Sequence, residues 1–206
     1  MRVQDHSTFV VSGIGTDVGK TFVAAVLVAG LEAHYWKPIQ TGSPTDSQWL
    51  MDVVGIPVER IVPERYRFAA PESPHSAAEK AGAVIDTDEL ALPEVDGLLI
   101  VEGAGGVMVP LNDDELYIDV MRDWMQPVVL VVDLYLGCIN HTLLTLEALS
   151  LRNIPIKGLI LNRRENESAH SYLTLYSGAP VLGFLPEMAA PSPTEFRRFF
   201  REYISW

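Results

Sequence analysis

The stretch Phe9-Val10-Val11-Ser12-Gly13-Ile14-Gly15-Thr16-Asp17-Val18-Gly19-Lys20-Thr21 constrains this chain more than any other. A short apolar run of strand length leads into a glycine-rich turn, and Lys20-Thr21 open an apolar segment of helical length, 22–31. Strand, glycine loop and helix start together make a cradle for phosphate. Backbone N–H groups of the loop and helix end face the anion, a lysine ammonium reaches the outer phosphates, and the hydroxyl of Thr21 suits Mg²⁺. The spacing departs from the usual G-x-x-x-x-G-K-[ST]: its first glycine would fall on Ile14, and the available one is Gly13. The loop therefore carries one extra residue, with Asp17 inside it. A glycine turn followed by a chance Gly-Lys-Thr is the bland alternative, and the flanking strand and helix weigh against it. A nucleoside triphosphate is the expected ligand.

Apolar runs of strand length recur at 8–12, 34–39, 97–102, 128–133, 156–162 and 181–185. Several are apolar at nearly every position, as in parallel strands covered on both faces. Helix-length segments alternate with them at 20–33, 45–54, 117–124, 140–151, 167–176 and 194–203. The pattern predicts an α/β fold: one domain over 1–206, a doubly wound, mostly parallel sheet of the phosphate-loop NTPase kind. Pro71, Pro74, Gly82 and Pro93 break the middle, so 63–94 is expected to be irregular with short helices.

With 206 residues, one well-buried domain is within reach. The formal net charge of −12 argues against nucleic acid and anionic membrane as partners, since both select a basic surface. Cys138 is the single cysteine, which rules out an internal disulfide and suits a reducing cytoplasm. No stretch approaches membrane-spanning length, and no basic segment followed by an apolar one opens the chain.

In such a sheet, ligands sit beyond the carboxyl ends of the strands, which directs attention to the residues there. Lys37-Pro38-Ile39-Gln40-Thr41-Gly42-Ser43 offers a lysine, a hydroxyl and a glycine turn suited to a second anion, although a lysine before proline is commonly a solvated charge. Asp46 either caps a short helix or faces Mg²⁺. The third run ends in Glu102-Gly103-Ala104-Gly105-Gly106, an acidic strand tip suited to holding Mg²⁺ directly or through water. Leu136-Gly137-Cys138-Ile139-Asn140-His141 precedes a clear helix with Asn140 as the expected N-cap, a further potential anion site. Cys138 and His141 read as packing or turn residues, without metal-ligand spacing.

Taken together, GIGTDVGKT, WKPIQTGS, PESPHSAA, VEGAGGVMVPL, LGCINH, LILN and GFLP, in that order, resemble the dethiobiotin synthetase family through most of the chain. The long phosphate loop is a trait of that family. The resemblance implies an ATP- and Mg²⁺-dependent ligase that converts 7,8-diaminopelargonate, CO₂ and ATP into dethiobiotin, ADP and phosphate. One amine captures CO₂ as a carbamate, ATP phosphorylates it, and the second amine attacks the mixed anhydride to close the ring. Cations must separate the carbamate from the triphosphate, a role suited to Lys20 and Lys37. The resemblance assigns catalysis to Lys20, Lys37 and Thr16, with Asp17 and Thr41 on the amines or carbamate. It assigns the nucleotide to Gly13, Gly15, Thr16, Asp17, Val18, Gly19, Lys20 and Thr21, with Asn162 and the backbone around Gly183 and Pro186 at the adenine. Thr21, Asp46 and Glu102 would surround Mg²⁺. It further implies a homodimer whose substrate crosses the interface, the partner's helix end at Gly137, Cys138, Ile139 and Asn140 meeting the substrate carboxylate, with Tyr172 near that tail.

Two features depart from the family. The segment between Thr21 and Lys37 is short, predicting a trimmed first helix, and Arg163-Arg164-Glu165 replaces a more neutral surround for the adenine. A rival reading is a partner-regulated ATPase switch of the Min or Par type, which shares the fold and loop. Those proteins carry a second lysine early in the loop, and 12–18 contains none.

Overall fold

The computed structural model of the chain describes residues 7–206. In chain order its first half comprises β1 (Thr8–Gly13), α1 (Lys20–Leu31), β2 (His34–Trp36), β3 (Ile39–Thr41), α2 (Asp46–Trp49), β4 (Ile61–Val62), β5 (Tyr66–Phe68) and α3 (Pro74–Lys80). The second half comprises β6 (Leu99–Gly106), α4 (Tyr117–Trp124), β7 (Val128–Asp133), α5 (Cys138–Leu151), β8 (Ile156–Asn162), α6 (Glu167–Tyr176), β9 (Val181–Leu185) and α7 (Pro193–Tyr203). Seven strands form one sheet in the order β4-β2-β6-β1-β7-β8-β9, and every pairing between them is parallel.

The apolar runs are near-continuous because both sheet faces are covered. Side chains alternate between those faces along a strand. Phe9 and Val11 accordingly enter the core shared with α1, α7 and the β7–β9 side, whereas Val10 joins the opposite core beneath α3 and α4. β1 lies between β6 and β7, so its loop emerges at the middle of the sheet's carboxyl edge. That central place is where the phosphate loop must sit to be reached from both neighbours.

The larger departures from the expected boundaries have local reasons. The run 34–39 divides at Lys37-Pro38: proline offers no N–H to a ladder, and it restricts the residue before it. β2 then stays in the main sheet, while β3 pairs with β5 in a separate two-stranded sheet. β6 continues past Glu102 to Gly106, which pairs with Gly13. The helix expected over 45–54 is α2 followed by a π-helical turn over Leu50–Val54. Finally, α5 begins at Cys138 behind Gly137, whose φ of 103° makes it the N-cap; Asn140 lies inside the helix and exposed. A left-handed entry favours glycine over a side-chain cap, so the Asn140 expectation is corrected.

The sheet's outer strand β9 meets the C-terminal segment. Gly183 forms an antiparallel bridge with Ile204, and Ser205 N–H donates to the Leu182 carbonyl at 2.7 Å.

Candidate active site

The phosphate loop is shaped by backbone chemistry. Asp17 and Gly19 take left-handed conformations, φ 59° and 92°, and Gly19 becomes the N-cap of α1. Among the described residues no side chain caps α1, and its first turn holds no acid. The amides at that helix end are left for an anion. A Cβ at Gly19 would lie 2.1 Å from Asn162 Nδ2, so only glycine lets the loop close onto the end of β8. Two successive residues there pin the loop: Asn162 Nδ2 donates to the Val18 carbonyl at 2.8 Å, and Arg163 Nη1 donates to that of Asp17 at 2.8 Å. Lys20 folds back, its Nζ donating to the Gly15 carbonyl at 3.0 Å. Gly13 closes β1, and Gly15 has nothing described within 4 Å of a would-be Cβ.

Beside the loop, Glu102 is 1% exposed. Its Oε1 accepts from Thr21 Oγ1 at 2.8 Å and from Lys37 Nζ at 3.0 Å, and its Oε2 accepts from the Tyr35 hydroxyl at 2.8 Å. Lys37 also pairs with Asp46. Thr45, not Asp46, caps α2, its hydroxyl accepting from Gln48 N–H at 3.1 Å. The Asp46 carboxylate is thereby free for Lys37, and Gln40 Oε1 holds the Asp46 N–H at 3.0 Å. Lys37 is therefore buried and doubly paired, not a solvated charge.

Burial lowers the Lys20 pKa to about 8; Glu102 opposes the shift and the like charge of Lys37 adds to it. Burial alone would lower Lys37 too, but Glu102 and Asp46 outweigh it and hold that lysine above its ordinary value. Burial, then the Glu102 charge, pushes the Tyr35 phenol well up. Tyr117 is shifted upward for the same reasons, and its hydroxyl is buried without a partner among the described residues. Phosphate favours the charged form of Lys20. In metal-free buffer, nucleotide affinity is therefore expected to be level below about pH 8. Above that it falls towards about tenfold per pH unit, because binding must then take up a proton. Calorimetric titration with ADP across pH checks this, and an affinity that rises with pH would contradict it.

A cavity of about 600 Å³ unites Thr16, Asp17, Gly19, Lys20, Thr21, Lys37, Thr41, Asp46 and Glu102. Other expected residues lie elsewhere. Asn162 is fully buried behind the loop, and its Oδ1 has no partner among the described residues. Pro186 follows the end of β9. At Gly183 a Cβ would lie 1.9 Å from the Tyr203 carbonyl, so close packing of residues 203–204 also requires the glycine. Gly137, Cys138, Ile139 and Asn140 do not line their own chain's cavity, and Tyr172 packs against Tyr176 on α6. Tyr35 and Gln40 are contributors that sequence reasoning passed over, and Arg163, noted there only as part of the adenine surround, pins the phosphate loop.

The residues fit a magnesium nucleotide. The open helix end and two buried lysines answer a polyphosphate. Thr21, Asp46 and Glu102 supply hard oxygens, which Mg²⁺ takes in ones and twos together with phosphate. Among the described residues no group of three or more His, Cys, Asp or Glu side chains could hold a metal unaided.

Comparison with known proteins agrees with this reading. A family model described as an AAA domain matches residues 7–194. A Brucella anthropi protein named ATP-dependent dethiobiotin synthetase is 42% identical over 97% of this chain and 95% of its own. One of the same name from Rhodopseudomonas palustris is 45% identical over 94% and 92%. Among solved structures, a ParA family ATPase from Chlorobium tepidum matches with a TM-score of 0.58 at 14% identity, over 89% of this chain and 85% of that one. A chain of the Aquifex aeolicus MinC:MinD cell division protein complex gives 0.55 at 15%, over 94% and 86%. At such identities these two likenesses speak to the fold alone.

Proposed function

The chain belongs to the ATP-dependent dethiobiotin synthetase family, and we propose that it works along its whole length as one ligase domain. It converts 7,8-diaminopelargonate, CO₂ and ATP into dethiobiotin, ADP and phosphate. The observation that carries this reading is the pair of buried lysines, Lys20 and Lys37, lining one cavity with Thr16, Thr41 and the oxygens of Thr21, Asp46 and Glu102. Two anions, a triphosphate and a carbamate, must meet there, and cations placed between them lower the repulsion.

A substrate amine adds to CO₂ and gives up a proton. A carbamate oxygen then attacks the γ-phosphorus as ADP leaves, and the second amine attacks the carbamoyl carbon with loss of phosphate. Lys20 stays on the phosphoryl oxygens, and the loop and α1 amides hold the remaining phosphates. Thr16, Asp17 and Thr41 orient the amines and carbamate, and Lys37 balances the carbamate charge. Magnesium, when bound at Thr21, Asp46 and Glu102, supplies positive charge to the phosphate oxygens. Asn162 Oδ1 takes the adenine amine, beside Pro186. Positioning and charge carry the reaction, with no covalent nucleophile on the protein.

The working unit is a homodimer in the cytoplasm. Leu144, Leu175 and Tyr176 are exposed on α5 and α6, helices that pack on each other, which supports an apolar face between subunits. The α5 start at Gly137 to Asn140 then serves the partner's substrate carboxylate, with Tyr172 near its tail. Among the described residues no helix is long and apolar enough to cross a membrane.

The test is incubation with ATP, bicarbonate and diaminopelargonate, reading ADP release and the mass of the product. ATP hydrolysis indifferent to the diamine would favour a switch ATPase. Lys37→Ala separates the two lysines: turnover is expected to fall about a hundredfold or more, while affinity for an ATP analogue falls only a few-fold. Equal losses would move Lys37 to the nucleotide side.

A further inference from the structure

We propose that Tyr35 is a positioning residue that fixes the Glu102 carboxylate for Mg²⁺. The inference rests on the magnesium–ATP reading above. Tyr35 pairs with Ile100 in the β2–β6 register, and Glu102 lies two residues further along on the same face. Diagonal neighbours of that kind are within reach of an aromatic side chain. The Tyr35 hydroxyl donates to Glu102 Oε2 at 2.8 Å, and Tyr35 is fully buried. The division of labour at Glu102 gives this bond its meaning. Thr21 and Lys37, which line the cavity, both donate to Oε1, and Tyr35, which does not line it, donates to Oε2.

A carboxylate 1% exposed needs a donor on each oxygen. With Oε2 tied to β2, Oε1 stays beside the Thr21 hydroxyl, where the ion belongs. Removing the phenol oxygen would leave Oε2 buried without a donor. The carboxylate then turns to recover one, and it does so by taking Oε1 off its line. This is the outer-shell logic by which groups behind a metal ligand set metal affinity. The phenol serves as a donor only: burial and the Glu102 charge keep it protonated, so no proton transfer is assigned to it.

The experiment is equilibrium binding of ADP to the purified full chain, once with Mg²⁺ and once with EDTA, the ratio of the two dissociation constants being the magnesium increment. Tyr35→Phe keeps the ring that fills the core. It is expected to reduce the increment about tenfold while leaving affinity in EDTA within about twofold. The second arm uses Glu102→Gln and the double variant Tyr35→Phe/Glu102→Gln. If Tyr35 acts through Glu102, Tyr35→Phe changes the increment little in the Gln background. A melting scan of each variant accompanies the titrations, and the EDTA measurement corrects for any general loosening. An unchanged increment in Tyr35→Phe would overturn the inference, as would an equal loss in both backgrounds. A normal protein with no magnesium increment would instead overturn the magnesium reading of the site, a distinct result.

Discussion

Lys20→Ala is expected to cut turnover by about a thousandfold or more, the largest single effect in this protein. The lysine is buried, lines the cavity, and donates its ammonium to the Gly15 carbonyl, a weak partner that it can exchange for phosphate. Its charge matters most when the γ-phosphoryl group is in transit. Stopped assays of diamine-dependent ADP release measure the loss, with calorimetric binding of an ATP analogue alongside. Turnover within a few-fold of normal would remove Lys20 from the chemistry.

The second large effect is a recovery. In a dimer that shares its sites, one subunit gives the phosphate loop and the other gives the start of α5. Cys138 is nearly inaccessible, so an acid there would disturb folding, but Leu136 just before it is fully exposed. Leu136→Asp should set a fixed negative charge beside the substrate carboxylate, raising the diamine KM with ATP affinity unchanged. Mixing it with Lys20→Ala then creates dimers in which one site carries both defects and the other carries none. An equal mixture should regain about a quarter of normal activity, since half the dimers are mixed and each has one intact site. No recovery after demonstrated subunit exchange would place the whole site within a single chain.

Much of this site was legible in the sequence where neighbours in the chain are neighbours in space. The loop from Gly13 to Thr21, the acidic strand tip at Glu102 and the family motifs are local patterns, and the parallel sheet follows from runs that are apolar on both faces. What escaped depends on strand order and backbone conformation. Tyr35 reaches Glu102 only because β2 lies beside β6, a pairing that no local pattern announces. The resemblance marked Lys37 as a working cation, but its pairing with Asp46 and Glu102 stayed hidden because they come to it from different elements. Arg163 acts on a backbone carbonyl 146 residues away in the chain, and Gln40 reaches the Asp46 amide across the turn between β3 and α2. Gly137 displaced Asn140 as cap through a left-handed φ, and the packing demand at Gly183 comes from residues twenty positions further on.

That packing at Gly183 has a bearing on how the molecule survives in concentrated solution. A sheet's outermost strand displays unpaired amides and carbonyls, an invitation to any other strand with a free side. Here the opposite edge, β4, is only two residues long, and β9 is closed by its own chain's tail through Ile204 and Ser205. The last residues thus act as a hem on the fabric of the sheet, with Trp206 edge-on to Phe9 as its final stitch. Glycine at 183 is what lets that hem lie flat. Residues 204–206 are therefore a sealed border of the sheet, and cutting them away would reopen β9 as a free edge.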